Sequence, residues 1–336
     1  MSNAKITRRA ALKLGLAAGL SACLPRRVAA AGVVLRVSSS LTADDNSPHF
    51  VWFDRFRSNL KAKLGEAISL AYFPNNQLGK EADMVQQVRL GAVDMMISGS
   101  SIWATIVPEI GVLDLGYIYT GWPHVGRALD GSAGQALTTL MATKASVKIL
   151  GYTFNFGPRC VYSRNPIRQA ADLHGVKVRV LPVPTFVGTL KAMGAVPIPI
   201  PFGEVYTAMQ TGVVDALEQE ASIVLAGKFY EIAKFCALTR HIYNSSIPVI
   251  NQRSFDRIPA NLRAGFLEAA QEATAYQRGR AAEIDTRAFA ELKKRGVTVS
   301  EIDMSPTRPA MEKFWNEFVT QTPGAKPLLA AIRAAA

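Results

Sequence analysis

The chain has 336 residues, 49% of them apolar and 19% charged, with 18 Pro and 25 Gly. That composition excludes disordered, collagenous and coiled-coil proteins, and the length suits about two domains of roughly 100–200 residues, each with its own core. Three cysteines and four histidines exclude most metal architectures, and no metal or cofactor is expected. Half of the +12 net charge belongs to residues 1–31, which hold Lys5, Arg8, Arg9, Lys13, Arg26 and Arg27 and no acid. The rest is scattered, its longest block being Lys293-Lys294-Arg295 without interleaved aromatics, so nucleic acid is not an expected partner.

Residues 1–31 read as an export signal: a basic region with Thr7-Arg8-Arg9, an apolar run at 14–24 too short to span a bilayer, then Ala29-Ala30-Ala31. Arg8-Arg9 followed by Ala10-Ala11-Leu12-Lys13 resembles a twin-arginine signal, with an ordinary secretory signal as the alternative; either sends the protein to the periplasm. Leu20-Ser21-Ala22-Cys23 resembles a lipoprotein processing site and competes with cleavage near Ala31. Without Cys23 the chain keeps Cys160 and Cys236, either as a pair or as two buried thiols.

Beyond the leader, apolar runs bounded by turns alternate with helical periodicity, the rhythm of α/β architecture. Residues 33–37 read as a strand. Phe50, Phe53, Phe56 and Leu60, at spacings of three and four, predict an amphipathic helix over 50–63, and 67–73 reads as a second strand before the Asn75-Asn76 turn. The run 84–90 predicts a helix stopped by Gly91, then Ala92-Val93-Asp94 and an apolar strand at 95–97. The pattern recurs 121 residues later, at 205–211 with Gly212, Val213-Val214-Asp215 and Ala216-Leu217. The recurrence suits two similar α/β domains facing each other across a cleft, although a common αβ connection met twice gives the same pattern. Phe266, Leu267, Ala270, Ala273, Tyr276, Phe289 and Leu292 mark a helix over 262–295 that Gly296 ends. At roughly 1.5 Å per residue it would run about 50 Å, enough to brace both domains.

The sequence holds no nucleophile elbow, phosphate-binding glycine loop, dinucleotide fingerprint or H-E-x-x-H zinc motif. His49, His124, His174 and His241 are far apart and read as surface or capping residues, and the acids Asp44-Asp45 and Glu81 with Asp83 as capping and solvation. The absence of a catalytic constellation points from enzyme to binding protein. Two arginines stand in apolar surroundings: Arg159 in Asn155-Phe156-Gly157-Pro158-Arg159-Cys160, and Arg179 in Val176-Lys177-Val178-Arg179-Val180-Leu181. A guanidinium fork clasps a carboxylate with two parallel hydrogen bonds, but an arginine paired with a structural acid leaves the same pattern.

Three ordered motifs carry a resemblance. They are Gly175-Val176-Lys177-Val178-Arg179-Val180, then Met193-Gly194-Ala195-Val196-Pro197, then the run from Pro201-Phe202-Gly203-Glu204-Val205-Tyr206 to Gly212-Val213-Val214-Asp215. With Asn76-Gln77-Leu78-Gly79, Gly91-Ala92-Val93-Asp94 and Lys228-Phe229-Tyr230-Glu231, the chain resembles the solute-binding subunit of tripartite ATP-independent periplasmic (TRAP) transporters, the DctP-like family. The resemblance covers essentially everything after the leader.

It implies an α/β, two-domain periplasmic-binding-protein-like fold, with a ligand cleft between the domains and a long C-terminal helix bracing both. The expected boundaries are 32–156 with 244–283 for the first domain and 157–243 with 284–336 for the second. The implied function is a receptor, monomeric and not an enzyme, that binds a small organic acid and delivers it to membrane permease subunits. By position in the motifs, Arg179 is the carboxylate-clasping arginine, Arg159 a second arginine of the site, and Phe202 an aromatic packing on the ligand. Where the family usually reads Gly-Gln-Glu-Asn after the aspartate, this chain has Ala216-Leu217-Glu218-Gln219, so Gln219 would offer its amide on a longer stem. Asn155 joins these as a candidate contact. Ser98 and Ser100, in Ser98-Gly99-Ser100-Ser101, are expected on the opposite wall, and Phe202 with Trp103 and Phe154 would tolerate an apolar or aromatic ligand body. Monocarboxylates and dicarboxylates both remain open. The alternative is an exported enzyme acting on organic acids, with Arg179 orienting the substrate and Glu218 as base.

Overall fold

The computed structural model describes residues 32–336, so the expected export signal, with Arg8-Arg9, Cys23 and the expected cleavage near Ala31, lies outside the described residues. The strands are β1 (Val33–Ser39), β2 (Ile68–Phe73), β3 (Met95–Gly99), β4 (Val147–Ile149), β5 (Thr153–Phe154), β6 (Arg159–Ser163), β7 (Lys177–Val180), β8 (Val196–Pro199), β9 (Ala216–Gln219), β10 (Phe235–Ile242), β11 (Ser245–Asn251) and β12 (Thr298–Glu301). The helices are α1 (Pro48–Leu64), α2 (Glu81–Leu90), α3 (Trp122–Asp130), α4 (Ser132–Ala145), α5 (Pro184–Ala192), α6 (Val205–Gln210), α7 (Ala221–Ala226), α8 (Gln252–Asp256), α9 (Ala260–Lys294), α10 (Arg308–Gln321) and α11 (Ala325–Ala334). Among the described residues, no helix is long and apolar enough to cross a membrane.

Two mixed sheets result. The first runs β2-β1-β3-β11-β4 with β5 also on β11; the second runs β12-β10-β6-β9-β7-β8. β11 enters the first sheet antiparallel to β3 and β4, having arrived from the second. The chain therefore passes between the sheets three times: between β5 and β6, between β10 and β11, and between β11 and β12 by way of α9.

The recurring sequence pattern is one structural device used twice. Gly91 (φ 79°) and Gly212 (φ 76°) take the left-handed backbone that follows a helix end, where a side chain would be strained. Asp94 then accepts a hydrogen bond from the Arg36 backbone N–H on β1 (2.8 Å), and Asp215 accepts one from the Lys177 N–H on β7 (3.0 Å). Each aspartate thus fastens the parallel neighbour of the strand that follows it, β1 beside β3 and β7 beside β9.

In α1, Pro48 fits the first helical position and Ser47 Oγ accepts from the Phe50 N–H, while Trp52, Phe53, Phe56 and Leu60 form the buried face. That face packs on α9 through Phe266, Ala269, Ala270 and Ala273. Farther along α9, Ala288 and Leu292 join Cys160, Leu217 and Cys236 in the core of the second sheet. The long helix expected at 262–295 is present and serves both cores. Cys160 and Cys236 are buried, free thiols.

The return of 284–336 is divided. β12 extends the second sheet, but α11 packs on α4 and on the turn at Pro108–Asp114, burying Ala325, Leu328 and Ile332. His124 contributes to this contact, its Nε2 lying 2.8 Å from the Ile332 carbonyl oxygen. Of the four histidines expected as surface or capping residues, His174 is exposed, whereas His49, His124 and His241 are buried, which corrects a surface position for those three.

Candidate ligand-binding site

Strand β7 lies inside the second sheet, between β8 and β9, and brings Arg179 into full burial. Its Nε donates to the Ile200 carbonyl (2.8 Å), whereas Nη1 and Nη2 have no hydrogen-bond partner. Burial pulls its pKa down to about 10; Glu218 and Glu81 oppose that effect and Arg159 adds to it. A buried fork with two unanswered N–H edges is costly by itself and suits a carboxylate.

Arg159, on β6, is placed quite differently. Nε donates to Glu218 Oε2, Nη2 to the Glu218 carbonyl (2.9 Å) and Oε1 (3.0 Å), and Nη1 to Glu220 Oε1 (3.1 Å) and Oε2 (3.0 Å). All five N–H donors are used within the protein. Burial alone would weaken this guanidinium's hold on its proton, but Glu218 and Glu220 outweigh it and raise the pKa. Arg159 borders the inner cavity, but in this structure its donors are engaged by two buried acids. Glu218 shows the reciprocal balance, with burial raising its pKa and Arg159 together with His241 more than reversing this, so it stays ionised and paired.

The passages from β5 to β6 and from β10 to β11 are stitched by amides. Asn155 Nδ2 donates to Glu220 Oε1 (2.8 Å) and to Asn244 Oδ1 (2.9 Å), and Asn244 Nδ2 donates to Asp114 Oδ1 (2.5 Å). Asp114 is pushed up to about 7 by burial, although Asn244 and Ser100 donate to it. Hence Ser100, which donates to Asp114 Oδ2 (2.9 Å), is turned inward, as is Ser98, whose Oγ accepts from the Trp103 indole (3.0 Å). Both serines were expected to face the ligand. Here a buried carboxyl and a buried indole needed their hydroxyls, and Gly99 and Ile102 form that wall instead.

An inner cavity of about 30 Å³ lies between the sheets, bordered by Ser40, His49, Glu81, Asn155, Phe202 and Gln219 among others. An outer cavity of about 310 Å³ shares Glu81, Ile102 and Phe202 with it. Gln219 Oε1 is buried without a partner. Phe202 meets Phe229 edge to face at 6.0 Å. Trp103 and Phe154 border neither cavity, since Trp103 is fully buried and Phe154 stacks on Trp122 at 4.4 Å.

Two residues at the site escape sequence reasoning. Glu81 looks like an ordinary first-turn acid, yet it borders both cavities, accepts from Ser40 Oγ (2.9 Å) and has its pKa raised by burial. Its one signal is its place just after Gln77-Leu78-Gly79. His49 looks like a helix-start residue, but its Nδ1 meets Ser39 Oγ (2.9 Å) and burial lowers its pKa to about 3, so the ring is neutral.

A two-sheet molecule with a polar-lined cavity, and a buried, half-satisfied arginine on β7 next to the strand that carries Gln219, has the architecture of a solute receptor. The chain belongs to the bacterial extracellular solute-binding proteins, family 7, whose model matches residues 39–322. It is 33% identical to the 2,3-diketo-L-gulonate-binding periplasmic protein YiaO of Escherichia coli, over 87% of this chain and 89% of that one. It is 28% identical to the C4-dicarboxylate-binding periplasmic protein DctP of Rhodobacter capsulatus, over 94% and 92% respectively. A TRAP periplasmic solute-binding protein of Roseobacter denitrificans, solved with bound β-D-glucuronate, superposes with a TM-score of 0.84 at 32% identity, over 90% of this chain and 99% of that one. These relatives are receptors rather than enzymes, and the alternative of an exported enzyme is set aside with them.

Proposed function

We propose that this protein is the periplasmic receptor of a TRAP transporter, holding the carboxylate of a small organic acid on Arg179 and delivering the acid to membrane permease subunits. The observation that carries the reading is the fully buried Arg179 guanidinium whose Nη1 and Nη2 lack partners. Gln219, Phe202 and Asn155 border the inner cavity, and Asn155 Nδ2 donates to Glu220. The halves built on the two sheets act as lobes that part to admit the acid and close over it, because the inner cavity is too small to be entered otherwise. The leader at 1–31 carries the chain to the periplasm, with Arg8-Arg9 as a twin-arginine signal.

The test is a thermal-shift screen against organic acids, followed by recovery of the bound acid. Ligand at about 100 times its Kd should add about 2.7 kcal/mol of stability, and the acid should be recovered unchanged. No stabilisation by any carboxylate, or a chemically altered acid, would overturn the reading.

A further inference from the structure

We propose that the protein carries a second small-molecule site, apart from the cleft, that takes an aromatic monoanion, with the ring among Tyr117, Met304, Met311 and Trp315 and the charge on Arg308 and Arg333. The site is a cavity of about 530 Å³ between the segment 117–124, α10 and α11. It is larger than either cleft cavity and shares no lining residue with them. Its volume falls in the range of pockets that hold small ligands. Because α10 packs on α5 and α11 on α4, an occupant would touch helices from the halves built on both sheets.

The charge of the occupant follows from which polar groups are still free. His124 Nε2 meets the Ile332 carbonyl oxygen (2.8 Å) and its Nδ1 meets Thr120 Oγ1 (3.4 Å), while Ser305 Oγ donates to Asp303 Oδ2 (2.8 Å). Arg308 and Arg333 are exposed, and no hydrogen bond or ion pair engages either guanidinium among the described residues. Glu312 is the one acidic side chain on the lining, and it forms no ion pair with either arginine. Two free forks on one rim suit a carboxylate. Two thioethers and two aromatic rings on the same lining favour a flat aromatic body over an aliphatic one. The wall itself is strained: Tyr117 has φ 58°, which a bulky side chain rarely adopts. Three bonds hold that corner, from the Tyr117 N–H to the His241 carbonyl (2.7 Å), from the Gly116 N–H to Thr189 Oγ1 (3.1 Å) and from the Trp315 indole to the Gly116 carbonyl (3.0 Å). Backbone strain sustained in this way gathers at ligand sites.

The test is calorimetry with a matched set of probes: phenylacetate, neutral phenethyl alcohol, cationic phenethylamine and cyclohexylacetate, which lacks the aromatic ring. Phenylacetate should bind about tenfold tighter than the alcohol or the amine and about threefold tighter than cyclohexylacetate. Arg179→Ala, which removes the fork from the cleft, should leave phenylacetate binding within about threefold of wild type, since the two sites share no residue. The double variant Arg308→Gln with Arg333→Gln should weaken it about tenfold, with thermal unfolding unchanged because neither side chain has a partner to lose. In wild-type protein, phenylacetate should slow amide hydrogen exchange in 115–124 and 304–315. Binding that disappears in Arg179→Ala, equal affinity for the alcohol, undiminished binding in the double variant, exchange protection confined to the cleft strands, or no binding at all would overturn the inference and leave the receptor reading standing.

Discussion

Lys80 and Glu204 meet across the outer cavity, Nζ to Oε1 at 2.6 Å, one from the turn before α2 and the other from the turn before α6. This ion pair joins the segment that follows β2 of the first sheet to the segment that follows β8 of the second. Both side chains are more than half exposed, so the pair is a weak, salt-screened latch rather than a clamp. Lys80→Ala should speed ligand dissociation a few-fold at low salt and leave it nearly unchanged at high salt, as read by stopped-flow fluorescence. An effect that does not diminish with salt would remove the latch from the mechanism.

Arg179→Ala should weaken ligand binding by at least about 2 kcal/mol, and Arg179→Lys nearly as much, because a point charge cannot replace the fork. The folded protein should lose little stability, since two of the three guanidinium nitrogens have no partner to abandon. Calorimetry gives the first quantity and urea unfolding the second. Binding within threefold of wild type in either variant would sink the assignment.

Arg159→Met should behave in the opposite way. It strands Glu218 and Glu220 as buried, unpaired acids and should cost about 3–5 kcal/mol of folding stability. Urea unfolding before any ligand is added is the decisive measurement. A stable variant that simply binds less acid would restore Arg159 to a direct ligand role.

Asp114 supplies a pH dependence with a definite sign. Its folded pKa of about 7 stands above the ordinary aspartate value of about 4, so the native state holds a proton that the unfolded chain has already released. Its contribution to stability is complete below pH about 4 and is lost as pH rises through about 7. Asp114→Asn should therefore gain stability relative to wild type progressively across that window, as followed by thermal unfolding. A difference that is flat with pH would show that Asp114 titrates normally.

The sequence made the framework legible because its signals were local. Gly91 and Gly212 announced helix ends, Asp94 and Asp215 marked the paired turns, and the apolar period from Phe266 to Leu292 announced α9. The run 176–181 announced that Arg179 sits on a buried strand, but its pattern alone did not separate a ligand-facing arginine from one paired with a structural acid; only the family resemblance did. The remainder of the site depends on contacts distant in sequence. Glu81 and Arg179 are 98 positions apart in the chain, and beyond the preceding Gln77-Leu78-Gly79 nothing near Glu81 separates a cavity-lining acid from a helix-start acid. Ser98 and Ser100 misled for the same reason, because their partners Trp103 and Asp114 claim them only once the 3₁₀ turn at Ser100–Thr105 has formed.

The place of β11 has a consequence for the order of events during folding. Residues 245–251 occupy an interior position of the first sheet, between β3 and β4, although β1 to β4 are complete by residue 149. Until β11 arrives, the β3 edge presents unpaired backbone groups and apolar side chains such as Met96 and Ile97, an invitation to wrong partners. The intervening β6 to β10 must be made first, so closure of the first sheet is a late, long-range event of the kind that slows folding. An N-terminal fragment ending before β11 is therefore an aggregation hazard rather than a foldable half.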